Sequence, residues 1–263
     1  MPYAEVNGVR LFYTDDPGPD PALLLVHGWT CDSLDWSWQL DAFAAEHRVV
    51  AVDLRGHGRS SNGGGYELPS YAADLSALLD ALGTGPVVAI GHSLGGAIVT
   101  TLAVEHPSRV RALVAIDPAV GLGSALGDVA RTVNDQMSGP GANEFLVATW
   151  RQMEGPAAAA GLAAWHRRRA LALPWEFLAE TWRCQEESGL LYRPAADEYL
   201  ARRAAPVLAL YCDAERAEWE ATTFRHPYSR AVSWPGCGHW LHQERPLEFN
   251  RFVLEWIAAL PAM

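Results

Sequence analysis

The sequence predicts an α/β protein built on a mostly parallel sheet, and three observations support this fold class. Several short runs, "ALLLVHG", "RVVAVD" and "PVVAIGH", are almost wholly apolar and rich in β-branched residues, as is typical of strands buried on both faces of a sheet. Amphipathic segments of helix length separate these runs, at about 33–45 and 70–82. The 263 residues, 49% of them hydrophobic, are enough to bury one large core. Alternation of strands and helices on this scale predicts right-handed crossovers between parallel strands.

The remaining elements follow in chain order. The Asn-Gly pair in "AEVNGVRLFY" lies between alternating apolar runs and predicts an N-terminal hairpin. After the three buried strands, "RALVAID", "APVLALYC" and "SRAVSWPG" predict further strands, and "PLEFNRFVLEWIAAL" predicts a final helix. From about 121 to 203 the pattern is helical only and carries four tryptophans. We therefore expect a core domain at 1–120 and 204–263 and a helical cap insertion at 121–203.

Composition and charge exclude several function classes. The net charge of −11 repels polyanions, so nucleic acid is not an expected partner. We interpret the basic run "HRRRA", at 166–170, as the solvated face of a helix. The N-terminus shows no secretory pattern, and no apolar run reaches the ~18 residues of a membrane span. These features predict a cytoplasmic protein that does not bind a membrane, and they leave a homodimer open.

Cysteine and histidine spacing gives no sign of a metal site. The four cysteines lie far apart, without the C-x-x-C spacing of paired ligands, and the chain has no H-E-x-x-H motif. In a chain of this size such cysteines are typical of reduced thiols. We therefore expect no metal and no cofactor.

The stretch "VVAIGHSLGGAIVTTLA" places a serine between two glycines, where a buried strand turns into a buried helix. Gly91 and Gly95 leave room where the backbone packs too closely for a Cβ atom. Such a turn presents the hydroxyl of Ser93 at the carboxyl edge of the sheet, where open α/β sheets bind their ligands. The sequence therefore predicts that Ser93 is a nucleophile rather than an ordinary turn residue.

Four segments, "LLLVHGW", "VVAVDLRGHGRS", "AIGHSLGG" and "WPGCGHWLHQERPLEF", resemble the successive signatures of the α/β-hydrolase superfamily, in the same order and over nearly the whole chain. The resemblance implies an eight-stranded, mostly parallel sheet with the nucleophile after the fifth strand. It also implies a helical cap after the sixth strand, where the helical section was found. His239 occupies the place of the family's general base, since it follows a strand, is preceded by glycine and comes before the final helix.

The acid that orients the histidine departs from the commonest family pattern, in which Gly ends the seventh strand and Asp follows three residues later. Here Cys212 replaces that glycine, Glu215 stands at the acid position, and Asp213 comes two residues too early. A second location known in the superfamily, after strand six, holds Asp117 in "LVAIDPAV". The sequence favours Asp117, with Glu215 as the alternative and Asp213 behind it, and we interpret Asp53 as structural.

The family resemblance implies that the backbone N–H groups of Trp29 and Leu94 form the oxyanion hole. The side chain of Trp29 is then free to line a pocket. The other residues that we expect around the substrate are mainly aromatic, and they are His92, Trp150, Trp175 and Trp240.

These residues together predict a cofactor-free serine hydrolase, a carboxylic ester hydrolase acting on an ester or lactone of a small-to-medium hydrophobic, aromatic substrate. Serine at the turn argues against the resembling haloalkane dehalogenases and epoxide hydrolases, which place Asp there. Carbon–carbon bond hydrolases and cofactor-independent ring-cleaving dioxygenases remain as alternatives on the same fold. A non-enzymatic ligand-binding module is disfavoured because serine, histidine and acid are all present.

Overall fold

The computed structural model describes residues 2–137, 139–156 and 158–261. An eight-stranded sheet lies at the centre of the chain, with the spatial order β1-β2-β4-β3-β5-β6-β7-β8. The strands are Tyr3–Val6 (β1), Val9–Asp16 (β2), Leu23–Val26 (β3), Val49–Val52 (β4), Val87–His92 (β5), Val110–Ile116 (β6), Val207–Tyr211 (β7) and Arg230–Ser233 (β8). β1 pairs antiparallel with β2, and β2 antiparallel with β4, whereas every pair from β4 to β8 is parallel. The predicted α/β-hydrolase fold class is confirmed.

The helices connect these strands and cover both faces of the sheet. They are Leu40–Ala44 (α1), Leu68–Ala81 (α2), Leu94–Glu105 (α3), Ser124–Gln136 (α4), Ala142–Met153 (α5), Ala160–Ala172 (α6), Trp175–Glu187 (α7), Ala195–Leu200 (α8), Ala214–Ala221 (α9), Leu241–Glu244 (α10) and Pro246–Ala258 (α11). The segment expected as one helix at 33–45 is instead a 3-10 turn at Ser33–Trp36 followed by the short α1. At the break, the buried Gln39 side chain donates a hydrogen bond to the backbone oxygen of His242.

The strands are apolar throughout because both faces of the sheet are covered. In β3, Leu24 and Val26 belong to the core cluster that contains residues of α2 and α3. Leu23 and Leu25 point the other way and join the cluster that contains residues of α1 and α11. Successive side chains of a strand alternate between faces, and burying each one stabilises the fold by about 1.5–3 kcal/mol.

The interval from α4 to α8 lies between β6 and β7, within the range 121–203 that the sequence predicts as a cap. Its two ends meet, because Leu122 pairs with Tyr192 and the Gly121 N–H donates to the Leu190 oxygen at 2.9 Å. Within the described part of this interval, helices are joined by loops and that single bridge. The domain boundaries themselves stay a prediction, and we use the word cap for the helices α4 to α8.

The end of α5 is bound to the loop that follows β8. The His239 N–H donates to the Met153 oxygen at 2.8 Å. The Glu244 carboxylate accepts the N–H groups of Gly155 at 3.0 Å and Gly238 at 2.9 Å. The end of α5 is therefore attached directly to the backbone of the predicted base, and the Glu244 carboxylate joins Gly155 to Gly238 beside it.

The interpretation of 166–170 as a solvated face is wrong in part. Arg167 and Arg168 are exposed, but His166 is buried and its ring stacks on Trp240 at 3.9 Å between centroids. Arg169 forms ion pairs with Asp32 and Asp35 of the core. The helix binds the core through two of the residues that the charge pattern assigned to solvent.

None of the helices in the described ranges is long and apolar enough to cross a membrane. All four cysteines are unpaired thiols, three of them buried: Cys31, Cys184 and Cys237. Cys212 is partly exposed and lies at the end of β7.

Candidate active site

Ser93 lies in a strained turn between β5 and α3. Its φ of 53° and ψ of −116° lie in a region that residues other than glycine rarely adopt. The turn is held because the Ser93 N–H donates to the Ile116 oxygen at 2.9 Å and the Ser93 oxygen accepts the N–H of Ala119 at 3.0 Å. Among the described residues the hydroxyl has no hydrogen-bond partner, so it remains available to a ligand.

The end of β3 packs tightly against this turn. A Cβ atom added to Gly28 would lie 2.8 Å from Nδ1 of His92 and 3.3 Å from Cβ of Ser93. The peptide between Gly28 and Trp29 is therefore beside the serine. The Trp29 N–H has no acceptor among the described residues, and the N–H of Leu94, as first residue of α3, has none within its helix. These two N–H groups thus belong to the residues that directly follow Ser93 and Gly28, and Gly28 packs against Ser93.

Asp117 and His239 are hydrogen-bonded to each other. Nδ1 of His239 donates to Oδ2 of Asp117 at 2.5 Å, which leaves Nε2 as the basic nitrogen of the neutral ring. Asp117 follows β6 directly, with a φ of 38°, and β6 lies beside β5 with Ile116 in register with His92. Carboxyl ends of parallel strands meet at one edge of a sheet, and Ser93 and Asp117 are neighbours for that reason.

The alternative acids do not approach His239. The Glu215 side chain is 81% exposed and lies 3.6 Å from Arg193. Asp213 caps α9 and accepts the N–H of Arg216 at 2.9 Å. Asp53 is buried and paired with Arg59 at 2.9 Å, in line with the structural role expected for it. The expectation that Glu215 could be the alternative acid is therefore corrected, because its side chain lies on the solvent side of α9.

Arg216 holds the other oxygen of the Asp117 carboxylate. Its Nη1 donates to Oδ1 at 2.6 Å, and both side chains are buried. Burial alone would raise the pKa of Asp117, but the Arg216 charge and the His239 hydrogen bond outweigh it and lower that pKa. Asp117 is therefore ionised near neutral pH. Beside it, burial and the Asp117 charge raise the pKa of Cys212 to about 12, so this thiol stays protonated.

Ser93, His239 and Asp117 share the wall of one cavity. The cavity has a volume of about 240 Å³. Trp29, Trp150 and Trp182 contribute aromatic surface, with centroids 5.9 Å apart for Trp29–Trp150 and 5.3 Å for Trp29–Trp182. The remaining wall is mostly apolar, with a few polar side chains: Pro118, Ala119, Leu122, Val133, Leu146, Thr149, Gln152, Met153, Gln185, Leu191 and Arg216.

Three of the four predicted pocket residues do not line this cavity, and the prediction is corrected for them. Trp240 is buried between His166 and the ring of His239. Trp175, at the start of α7, packs against the core and not on the cavity wall. His92 lies behind His239 and donates from Nε2 to its backbone oxygen at 2.9 Å. Of the four, Trp150 alone is on the wall.

Buried histidines support the two loops of the site. Nδ1 of His27 donates to the Gly28 oxygen at 2.8 Å, and Nε2 accepts the Leu54 N–H at 3.0 Å. Burial lowers the pKa of His92 well below its ordinary value. Both rings are therefore neutral and support neighbouring backbone through hydrogen bonds. In His27 this requires that one ring nitrogen donates and the other accepts.

Sequence reasoning missed two residues of the site. Trp182 belongs to the tryptophans of the insertion, but its position on the cavity wall depends on the rotation of α7. Arg216 lies in "CDAERAEWE", which has the composition of an exposed helix start. No local signal separates Arg216 from its exposed neighbour Glu215.

Comparison with known proteins agrees with this fold. A family model described as the alpha/beta hydrolase family matches residues 23–252. The chain is 40% identical over 121 residues to Lipase LipV of Mycobacterium tuberculosis, and this matched region covers 46% of this chain and 45% of the lipase. It is 28% identical to epoxide hydrolase A of the same organism, over 97% of this chain and 96% of that protein. The chain spans less than half the length of the lipase.

A solved structure extends the likeness to the whole fold. The enol-lactonase from Burkholderia xenovorans superposes with a TM-score of 0.82 at 21% identity, covering 98% of this chain and 100% of that one. The fold and the residues at the carboxyl edge of its sheet are those of the α/β-hydrolase class of proteins. The chain belongs to the alpha/beta hydrolase family.

Proposed function

We propose that this protein is a cofactor-free serine hydrolase that cleaves carboxylic esters or lactones of small-to-medium, uncharged aromatic substrates. The observation that carries the proposal is the 2.5 Å hydrogen bond between Asp117 and His239 at a cavity whose wall also contains Ser93. A serine hydroxyl becomes a useful nucleophile only when a base accepts its proton. Here an oriented imidazole opens onto the same cavity as the hydroxyl.

In the proposed reaction, Nε2 of His239 accepts the Ser93 proton while the serine oxygen attacks the carbonyl carbon. Asp117 stabilises the imidazolium that forms. The N–H groups of Trp29 and Leu94 bind the tetrahedral oxyanion, and one such donor contributes about 3 kcal/mol. The alcohol departs with the proton from His239. Water then attacks the acyl-serine and gives a proton to the same imidazole, the bond from the acyl carbon to the Ser93 oxygen breaks, and His239 returns the proton to Ser93 as the carboxylic acid leaves.

The cavity wall supports the substrate class. Trp29, Trp150 and Trp182 offer ring faces and edges that suit an aromatic group. The described residues on the wall include one carboxylate, that of Asp117, and one guanidinium, that of Arg216. These two groups bind each other. A charged substrate group would find no unpaired opposite charge there, which favours an uncharged substrate.

A second candidate is a cofactor-independent ring-cleaving dioxygenase. The position of Asp117 at the end of β6 favours it, because such enzymes, by resemblance, carry their acid there. In that reaction the pair of His239 and Asp117 would deprotonate a hydroxy-heteroaromatic substrate, and Ser93 would only donate or accept a hydrogen bond.

One set of variants tests the proposal against this candidate. The wild-type protein should hydrolyse p-nitrophenyl acetate and benzoate, and a fluorophosphonate should add its mass to Ser93. Ser93→Ala should lower kcat by at least about 1,000-fold and remove the adduct. The exposed Ser108 provides the matched control, and Ser108→Ala should behave as wild type. A Ser93→Ala protein that retains activity, and consumes oxygen with a hydroxy-heteroaromatic compound, would replace the hydrolase proposal with the dioxygenase.

A further inference from the structure

The Asp117 carboxylate is bound from two sides. Oδ2 accepts the His239 hydrogen bond at 2.5 Å, and Oδ1 accepts Nη1 of Arg216 at 2.6 Å. Nη2 of Arg216 donates in addition to the Pro118 oxygen at 2.5 Å. The guanidinium therefore spans the carboxylate and the peptide that follows it.

This bridge acts on a strained part of the backbone. Asp117 has a φ of 38°, and its N–H donates to the Leu210 oxygen at 2.7 Å. A planar guanidinium that binds two acceptors at once restricts both the rotation of the carboxylate and the direction of the turn. A single charge without that fork would hold only one of the two.

We propose that Arg216 is a positioning residue of the hydrolytic site. It directs the Asp117 carboxylate toward His239, and its positive charge partly offsets the negative charge that this carboxylate presents to the imidazole. The inference rests on the proposed function, because it acts through the base of that reaction. A lone buried carboxylate would favour the charged imidazolium, whereas a carboxylate shared with a guanidinium favours it less.

The other titratable and charged groups around this cluster come from the strands and helices packed on it. They are His92 of β5, Glu154 after α5, His166 of α6, Tyr211 and Cys212 at the end of β7, Glu220 of α9, and His242 and Glu244 of α10.

Most of these groups do not add a charge next to Asp117. Burial keeps the pKa of His92 and His242 below their ordinary values, so both rings are neutral near pH 7. Glu220 is neutralised by Arg203 at 2.6 Å. Arg216 is therefore the charge expected to govern how Asp117 acts on His239.

The test is the pH dependence of fluorophosphonate labelling at Ser93, which requires no knowledge of the natural substrate. The labelling rate of the wild-type protein should fall on the acidic side of its pH profile. In Arg216→Met this acidic limb should move to higher pH by about one pH unit, because the imidazolium is stabilised once the guanidinium is gone. The maximal rate should also fall.

Arg216→Lys separates charge from geometry. A lysine ammonium keeps the charge but not the planar fork, so the acidic limb should stay near that of the wild type while the maximal rate falls about tenfold. Arg55→Met is the matched control, because it also removes a buried, ion-paired arginine, one that binds Asp74 and is not among the groups around Asp117. Arg55→Met should lower thermal stability and leave the acidic limb unmoved.

The outcomes separate the two proposals. Wild-type protein that is not labelled at Ser93 would overturn the proposed function and the role of Arg216 with it. Normal wild-type labelling together with an unmoved acidic limb in Arg216→Met would overturn the role of Arg216 alone. If Arg216→Met does not fold, Arg216→Lys decides: a folded lysine variant with the wild-type rate at every pH overturns the inference.

Discussion

The carboxylate of Asp117 accepts a 2.5 Å hydrogen bond from Nδ1 of His239, a residue 122 positions later in the chain. The two residues meet because β6 and the loop after β8 end at the same edge of the sheet. The acid of a serine hydrolase makes this contact with its histidine. No carboxylate that follows β7 in the described structure makes it.

Asp117→Asn should lower kcat for p-nitrophenyl ester hydrolysis at pH 7 by about 1,000- to 10,000-fold, because an amide cannot hold the imidazole tautomer or stabilise the imidazolium. Glu215→Gln is the control, because it also replaces a carboxylate by an amide. Its kcat should stay within about twofold of the wild-type value, since Glu215 is exposed. Steady-state kinetics on both variants checks this. A larger loss in Glu215→Gln than in Asp117→Asn would mean that the assignment of the acid is wrong.

Trp182→Leu should lower kcat/KM for an aromatic acyl ester such as a benzoate about tenfold more than for an acetate. The reason is that the lost indole is part of the cavity wall and lies 5.3 Å from the Trp29 ring. Trp165→Leu serves as the control, because Trp165 is 38% exposed on α6. Equal losses on both esters would show that Trp182 does not contact the acyl group.

Gly238→Ala should reduce both stability and activity. The new Cβ atom would overlap the Gly155 nitrogen and the Met153 oxygen, so the cap and the His239 loop would have to separate. We expect about 1–3 kcal/mol less unfolding free energy and a lower labelling rate at Ser93.

Gly161→Ala is the matched control for this variant, because Gly161 lies in α6 of the cap, away from the Gly238 contact. A Cβ atom there has open space, so stability should be unchanged or higher by up to about 1 kcal/mol. Urea unfolding of the two proteins, followed by tryptophan fluorescence, measures both effects. Wild-type stability in Gly238→Ala would show that the loop and the cap do not depend on this contact.

His242→Phe should make stability less sensitive to acid. Burial lowers the pKa of His242 from 6.5 to about 3, so below pH 6.5 the unfolded chain binds a proton that the folded chain does not. Stability from this group is therefore present above pH 6.5 and is lost as the pH falls toward 3. Between pH 7 and 5 the variant should lose about 2 kcal/mol less unfolding free energy than wild type.

Urea unfolding at pH 7 and pH 5 measures that difference. His106→Phe is the control for replacing a histidine by phenylalanine, because His106 lies at the end of α3 and is partly exposed to solvent. Both variants are compared with the wild-type protein at the two pH values. An unchanged slope in His242→Phe would place the acid sensitivity in other groups, such as His57, whose pKa burial also lowers to about 3.

Much of the fold was predictable because its signals are local. The Asn7-Gly8 pair forms the expected hairpin turn, with φ values of 46° and 79°, since Asn and Gly tolerate the left-handed region. The apolar strands are buried on both faces, as their composition predicts. The turn at Ser93 follows from glycines on either side of a residue that must adopt an unfavourable backbone conformation.

The cavity wall was less predictable. A helical residue faces the cavity or the core according to the rotation and tilt of its helix, and these are set by packing against distant elements. Trp175 and Trp182, both in α7, illustrate this: the first packs on the core and the second lines the cavity. Their local sequences do not distinguish these positions.

The sequence by itself determined the order of strands and helices, the turn at Ser93 and the histidine placed after the last strand, because backbone propensity and hydrophobic pattern act over a few residues. Only the tertiary structure decided which acid meets His239 and that Arg216 holds it. Glu215 and Arg216 are adjacent in α9, yet one side chain is 81% exposed and the other 9%. Neighbours in a helix point about 100° apart, and the packing of α9 against β7 and β8 selects which of the two is buried.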